Sequence, residues 1–229
     1  MGSRVSIWCA IQSSRSRRRR GLVVEHGSAS ASFARCRRRC PADPALLRGA
    51  LPMSLPALPH RFHDDPDFMA DLPYDPEVLF FDELLEIDKE KSRIVCRMPT
   101  PADLPITRSQ RAHPVFHPRH VAGAVMVHAT GMLGFVHAYH VLGLRHRDGW
   151  IGYGTHINRV VFRKLVQPGM PIIAECQATR TRAGKQRYFV RYRFEFRHEG
   201  AICYEGEQTA VWLLLDGTTP VAIGAGDEG

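Results

Sequence analysis

The longest apolar stretch of the chain is residues 122–142, AGAVMVHATGMLGFVHAYHVL, which contains no proline and no Asp, Glu, Lys or Arg. It is too long for an ordinary strand, and its apolar residues fall on every face of a helix, so it predicts a helix buried in a core. A helix that is apolar all round has to be enclosed by other elements. The rest of the chain must therefore supply a surface that surrounds it.

The flanking segments read as strands. EVLFFDELLEID (77–88) and SRIVCRM (92–98) are separated by a polar turn, and PIIAECQATRTR (171–182) and QRYFVRYRFEFRHEG (186–200) alternate apolar with polar residues. That period of two is typical of antiparallel strands with one buried face. A last strand lies in EGEQTAVWLLL (205–215). We predict an α+β domain in which one long central helix is wrapped by a curved antiparallel sheet of about six strands.

The positive charge of the chain is confined to one end. The formal net charge is +8, but eleven of the 31 Lys and Arg residues and only two of the 23 acidic residues lie in residues 1–53. We predict three parts: an Arg- and Ser-rich tail at 1–53 that is disordered or a misassigned start, a domain at 54–215, and a flexible tail at 216–229. Because the domain itself is nearly neutral, nucleic acid is not its expected partner.

Composition also indicates a compartment. Three scattered cysteines in the domain, with no CxxC pair, do not form a disulfide framework and favour a reducing cytoplasm. No stretch approaches the about 18 consecutive apolar residues of a membrane span, so we predict no span.

Several stretches in this order resemble the hotdog fold, and in particular its branch of 3-hydroxyacyl-[acyl-carrier-protein] dehydratases and acyl thioesterases. FFDELLEIDKEKSRIV (80–95) is similar to the opening strand pair of those enzymes, and INRVVFRKLVQPGMPI (157–172) is similar to their third strand. AVWLLL (210–215) stands where their final strand is found. The resemblance covers about residues 72–215 and implies a homodimer that acts on acyl thioesters.

The segment that corresponds to the dehydratase active site departs from the family pattern, which is Gly-His-Phe-Pro-Gly-x-Pro-x-x-Pro-Gly followed by a helical Glu. Gly123 matches its final Gly with Ala122 in place of Pro, and His113 stands for the catalytic histidine if one residue is inserted after Pro118. The fifth residue after Gly123 is His128, where the family has Glu. The resemblance therefore implies His113 and His128 as the catalytic pair, without the acid.

The resemblance also implies a site for the thioester carbonyl. In hotdog proteins backbone N–H groups at the start of the central helix polarise this carbonyl, and residues Val121, Ala122, Gly123 and Ala124 would supply them here. Hydrolysis of an acyl-CoA or acyl-carrier-protein thioester, with His113 or His128 activating water, is our leading hypothesis. A divergent dehydratase that uses His113 as base and protonated His128 as acid is the first alternative. A non-catalytic module that binds an acyl chain or a carrier protein is the second.

Two further residues are predicted to contact substrate. His117 follows His113 in the same segment, and Asn158 replaces the acidic residue of a family strand motif. The spacing of His113, His117 and His120 resembles a zinc pattern, but Pro114 and Pro118 interrupt any helix there. We therefore predict no metal and no cofactor.

Overall fold

The computed structural model describes residues 56–215, and both predicted tails lie outside this range. The elements run in the order β1 (His60–Arg61), α1 (Pro66–Asp71), β2 (Glu83–Asp88), β3 (Arg93–Met98), α2 (Gly123–His137), β4 (Trp150–Phe162), β5 (Ile172–Ala183), β6 (Arg187–His198) and β7 (Ala201–Leu214). Short 3₁₀ turns occupy Phe62–Asp64, Pro76–Val78 and His146–Asp148.

Helix α2 is the apolar helix that the sequence predicts. It begins at Gly123, runs to His137 and continues as a π-helical segment, Ala138–Leu142, which ends where Gly143 takes φ 69°. Positive φ is the conformation that glycine adopts at little cost, so Gly143 ends the helix. Most of the side chains of α2 are buried in the core. The prediction of a buried central helix is confirmed.

By length and composition, Gly123–Leu142 also passes the test for a membrane-crossing helix, with mean hydropathy 1.2. In the fold, however, 67% of the apolar stretch to which this hydropathy applies is buried inside the protein. A core helix of a globular protein meets the same test, because both environments select apolar side chains on all faces. We therefore interpret α2 as a core helix.

The strands form one antiparallel sheet in the order β1-β2-β3-β5-β6-β7-β4, and α2 packs against it. This arrangement of one long helix and one antiparallel sheet is the hotdog fold. The sheet has seven strands where about six were predicted, because the two-residue β1 adds to the edge of β2. Strand β4 also begins at Trp150, seven residues before the stretch that resembles the family's third strand.

Residues 54–76 lack periodicity and contain five prolines, which predicts a loop, but part of this segment is helical. Asp65 caps α1 by accepting a hydrogen bond from the Phe68 backbone N–H at 2.9 Å, and Pro66 occupies the first helical position. Both are favourable helix-start features. Six residues are too few for periodicity to reveal the helix, so the interpretation as a loop is wrong there.

The two faces of the sheet differ as the alternation predicts. The inner face of β6 buries Val190, Tyr192, Phe194 and Phe196, and the Tyr192 ring meets His137 of α2 with centroids 5.2 Å apart. On the outer face, arginines pair with glutamates on the same or the neighbouring strand: Arg191 with Glu207, Arg193 with Glu175, and Arg197 with Glu195. Exposed pairs of this kind add little stability, so burial of the inner face by α2 holds the sheet.

Two histidines near the end of α2 are buried. The Nε2 atom of His137 lies 3.0 Å from Ser92 Oγ, whereas neither ring nitrogen of His140 has a hydrogen-bond partner among residues 56–215. Burial lowers the pKa of His137 to about 4, although its contact with the Ser92 carbonyl opposes the shift. Burial likewise lowers the pKa of His140 to about 4, against the attraction of Asp65. Both rings are therefore neutral in the folded protein at neutral pH.

These two histidines predict that stability falls in mild acid. A histidine in the unfolded chain titrates near 6.5, so between about pH 6.5 and 4 the unfolded state binds more protons than the folded state. The free energy of unfolding should be highest above pH 6.5 and fall as the pH drops toward 4, by up to about 3 kcal/mol for each ring. Urea unfolding at pH 7.5 and at pH 5 measures this difference.

The variant His140→Phe isolates one of the two contributions. The phenyl ring suits a site formed by Phe68 and Tyr139 and cannot be protonated. It should make the pH dependence shallower, whereas His156→Gln, at an exposed position, should keep the wild-type dependence. Equal dependence in the wild type and His140→Phe would show that the charging of His140 does not oppose folding.

Candidate functional site

A groove of about 370 Å³ lies between α2 and the edge strand β4. Along α2 the exposed or half-buried residues Ala124, His128, Gly131 and Phe135 follow each other at spacings of four, three and four. Residues at these spacings share one helix face. This stripe is the part of α2 that the sheet leaves open, and from His128 onward it lines the groove.

The start of α2 offers free backbone N–H groups, as the resemblance implied. Of the four predicted amides, Val121 N–H donates to the Val166 carbonyl at 2.8 Å and Ala122 N–H donates to Thr107 Oγ1 at 3.0 Å. Within residues 56–215, the amides of Gly123 and Ala124 have no acceptor. Unsatisfied first-turn amides and the positive end of the helix dipole together attract an oxygen with developing negative charge.

His128 lies one turn after Ala124 on the same face. Residues four apart on a helix lie one above the other on the same face, so His128 follows the free amides along the stripe. Its Nε2 is 2.9 Å from the Val78 carbonyl oxygen. A carbonyl only accepts hydrogen bonds, so Nε2 must carry the proton, and in the neutral ring Nδ1 is left with a lone pair. That lone pair can take a proton from water.

The segment before β2 contacts the His128 ring through two aromatic side chains. The rings of Phe80 and His128 are steeply inclined, with centroids 5.3 Å apart, and Tyr74 approaches His128 with centroids 6.4 Å apart. Phe80 itself has φ 61°, which is uncommon for a bulky residue. The turn at residues 78–80 thus adopts a strained backbone where it supplies both the carbonyl and one ring that orient His128.

A polar pair lies on the floor of the groove. Gln208, on the inner face of β7, donates through Nε2 to Thr130 Oγ1, and this hydroxyl donates to the Val127 carbonyl at 2.6 Å. Thr130 is fully buried, whereas Gln208 is half-buried and lines the groove. The chain of hydrogen bonds joins the helix to the sheet at the groove.

The other predicted catalytic residue, His113, lies outside this groove. It belongs to an exposed turn in which the backbones of His113 and His117 exchange two hydrogen bonds, of 2.7 and 3.1 Å. Its Nδ1 accepts hydrogen bonds from the backbone N–H groups of Val115 and Phe116, and its ring stacks on Phe116 with centroids 4.6 Å apart. The structure therefore does not bring His113 and His128 into one cavity.

The two residues predicted to contact substrate also lie outside the groove lining. His117 is exposed in the same turn as His113, with its ring nearly perpendicular to that of His120. Asn158 is exposed on β4 and donates through Nδ2 to Thr209 Oγ1 at 3.0 Å. Each is therefore placed by a local contact on the surface.

Sequence reasoning missed His156, which is exposed on β4 and lines the groove together with His128. Its Nδ1 is 3.1 Å from Thr155 Oγ1. Gly152, Gly154 and His156 stand at alternate positions of the strand, a spacing that in a regular strand places residues on one face. A shift in the pairing register between Gly154 and His156 hides the position of the histidine from simple alternation.

The groove lining contains no Asp or Glu, neither on the helix nor on the surrounding strands. Among the described residues, no group of three or more His, Cys, Asp or Glu side chains is arranged to hold a metal ion. The three domain cysteines are free and buried, and burial raises the pKa of the Cys96 and Cys176 thiols well above the ordinary value. They are therefore unsuited to act as thiolate nucleophiles.

No protein-family model matches the chain, and a search of curated proteins found no match. Among solved structures, the chain is similar to a point mutant of the thioesterase PA1618 from Pseudomonas aeruginosa, with 15% identity over 65% of this chain and 92% of that one and a TM-score of 0.44. It is also similar to the thioesterase HI1161 from Haemophilus influenzae, with 18% identity over 60% and 82% of the two chains and a TM-score of 0.40. The order of the helix and strands within the chain itself defines the hotdog fold.

Proposed function

We propose that this protein hydrolyses an acyl thioester of coenzyme A or of an acyl-carrier protein in the groove between α2 and β4. The observation that carries the proposal is the stripe on α2, where the free amides of Gly123 and Ala124 precede His128 by about one turn. An electrophile and a base are the two parts that attack of water on a thioester requires.

In the proposed reaction the thioester carbonyl oxygen accepts hydrogen bonds from the Gly123 and Ala124 amides. His128 Nδ1 takes a proton from water as the water oxygen bonds to the carbonyl carbon. The Nε2 proton remains on the ring, directed at the Val78 carbonyl, which stabilises the imidazolium that forms. When the carbon–sulfur bond breaks, the thiolate takes the proton from Nδ1, and the acid and the thiol leave.

Hydrolysis fits the groove better than dehydration of a 3-hydroxyacyl thioester. Dehydration needs a base at C2 and a separate acid at the departing hydroxyl group. The groove presents His128 on the helix and His156 on β4, where His156 Nδ1 lies 3.1 Å from Thr155 Oγ1, and His113 of the predicted pair lies in the exposed turn. Hydrolysis needs only one group that accepts and returns a proton.

The variant His128→Ala tests this role. It should lower kcat/KM for hydrolysis by about 100-fold or more, the range that a general base contributes, with a smaller effect on KM. Free thiol is measured with saturated, 3-hydroxy and trans-2-enoyl acyl-CoA, and products are identified by mass spectrometry. His113→Ala, in the exposed turn, is the matched histidine variant and should retain most of the activity.

Three other outcomes of these measurements would each support a different function. If His113→Ala lost as much hydrolytic activity as His128→Ala, both histidines would be catalytic, as the resemblance implied. Loss or gain of water with the thioester intact would make the protein a hydratase or dehydratase. Binding of acyl-CoA without turnover would support the non-catalytic module.

We also propose that the chain forms a homodimer through β4. This strand has 13 residues and pairs with β7 on one side, and no strand of residues 56–215 pairs with its other side. Ile157 and Phe162 on β4 are 58% and 52% exposed. A long, unpaired, apolar edge strand favours pairing with another chain.

Sedimentation of the full chain tests the dimer. Ile157→Glu places a charge on the free edge and should shift the protein toward monomer. Ile173→Glu, at a partly exposed position on the interior strand β5, is the matched control and should leave the dimer unchanged. Sedimentation of the wild type as a monomer at micromolar concentration would contradict the proposal.

A further inference from the structure

Two glycines that line the groove are required neither by close packing nor by a left-handed φ, although Gly154 directly precedes the register shift in β4. Gly131 lies in the interior of α2 and Gly154 in the interior of β4, where glycine is unfavourable relative to residues with a side chain. A Cβ atom added at either position would meet no atom within 4 Å, and neither residue has a left-handed φ. Neither close packing nor backbone conformation therefore requires glycine there.

In contrast, close packing requires glycine at two other positions, Gly123 in α2 and Gly152 in β4. A Cβ on Gly123 would lie 2.9 Å from Cζ of Phe162, and one on Gly152 would lie 2.6 Å from the Trp212 ring. At both positions the neighbouring ring occupies the space that a side chain would need. At Gly131 and Gly154 the space is open and belongs to the groove.

The groove between these two glycines is bordered by rings. Phe135, one turn after Gly131, meets Trp212 edge to face, with ring centroids 5.2 Å apart and planes at 86°. Aromatic groups favour this geometry with one another, whereas a flexible alkyl chain gains no directional contact from it. The ring side chains that line the groove are Tyr74, Phe135, Tyr153, Tyr192, Phe194 and Trp212.

The position of Gly131 relates this space to the proposed reaction. Seven residues of helix separate Ala124, whose amide would hold the carbonyl, from Gly131, a rise of about 10 Å. An acyl group that starts at the free amides and follows the stripe past His128 therefore reaches the open space at Gly131. A ring joined to the carbonyl by a short linker would reach the same place.

We infer that Gly131 and Gly154 form the walls of an acyl subsite and keep it open because they have no side chains. We also infer that this subsite takes an acyl group with an aromatic ring close to the thioester carbonyl. The inference rests on the proposed function for the identity of the substrate. The space and its aromatic border are properties of the groove itself, so the subsite can be tested by binding without turnover.

The test is calorimetric titration of the full chain with two thioethers of coenzyme A, one carrying a 2-phenylethyl group and one an n-octyl group. Neither has a thioester carbonyl, so neither can be hydrolysed at the sulfur. The wild type should bind the phenylethyl thioether at least about tenfold more tightly than the octyl thioether, a difference of about 1.4 kcal/mol. Equal or tighter binding of the octyl thioether would overturn the assignment of an aromatic group.

Side chains added at the glycines test the walls. Gly131→Leu and Gly154→Val should each weaken binding of the phenylethyl thioether at least about tenfold, because they fill the open space. Gly131→Ala should raise the unfolding midpoint, since alanine favours a helix, while binding weakens by a smaller factor. Ala201→Val, at an exposed position on β7 outside the groove, should leave affinity unchanged.

Two results would overturn the role of the walls. Unchanged affinity in Gly131→Leu and Gly154→Val would show that the acyl group does not lie between them. Loss of the dimer in these variants, measured by sedimentation, would show that the space receives a second copy of the chain. Tight phenylethyl binding with no hydrolysis of the matching phenylacetyl thioester would contradict only the proposed hydrolysis and leave the subsite in place.

Discussion

Burial of α2 by the inner face of the sheet is the constraint on which the rest of this fold depends. The helix is apolar on nearly every side, so the antiparallel strands must cover it, and β3, β5 and β4 all contact it. The sheet leaves open only the face that carries Ala124, His128, Gly131 and Phe135. The candidate site is therefore the gap in the enclosure of the core helix. Its position follows from the packing that stabilises the protein.

The electrostatic character of this gap is unusual for a site that would move protons, because its lining contains no carboxylate. Its polar groups are backbone dipoles and neutral side chains: the free amides at the start of α2, the Val78 carbonyl at His128 Nε2, and the pair formed by Gln208 and Thr130. A backbone carbonyl can fix the tautomer of a histidine as a carboxylate does, but it offers less stabilisation to the imidazolium ion. Backbone dipoles thus carry out here the orientation that a charged residue often provides.

Much of the fold could be predicted because periodicity reports burial directly. The uniform apolarity of residues 122–142 predicted α2, and alternation in β5 and β6 predicted which side chains face it. His128 could be singled out from its distance to Gly123. His156 and Gln208 could not, since their approach to α2 depends on strand pairing that shifts register twice between β4 and β7. The path of the segment with His113 was equally hidden, because contacts such as that between Gln110 and His120 hold it.

The most direct test of the proposed mechanism is whether a thioester carbonyl lies at the Gly123 and Ala124 amides. A ketone analogue of an acyl-CoA, in which a methylene group replaces the thioester sulfur, keeps the carbonyl and resists hydrolysis. Titration of this analogue into the ¹⁵N-labelled full chain should move the amide proton resonances of Gly123 and Ala124 downfield, as expected for new hydrogen bonds, and should perturb the His128 ring. If the analogue binds while these resonances stay unmoved, and the shifts fall instead on the exposed turn around His113, the proposed mechanism is wrong.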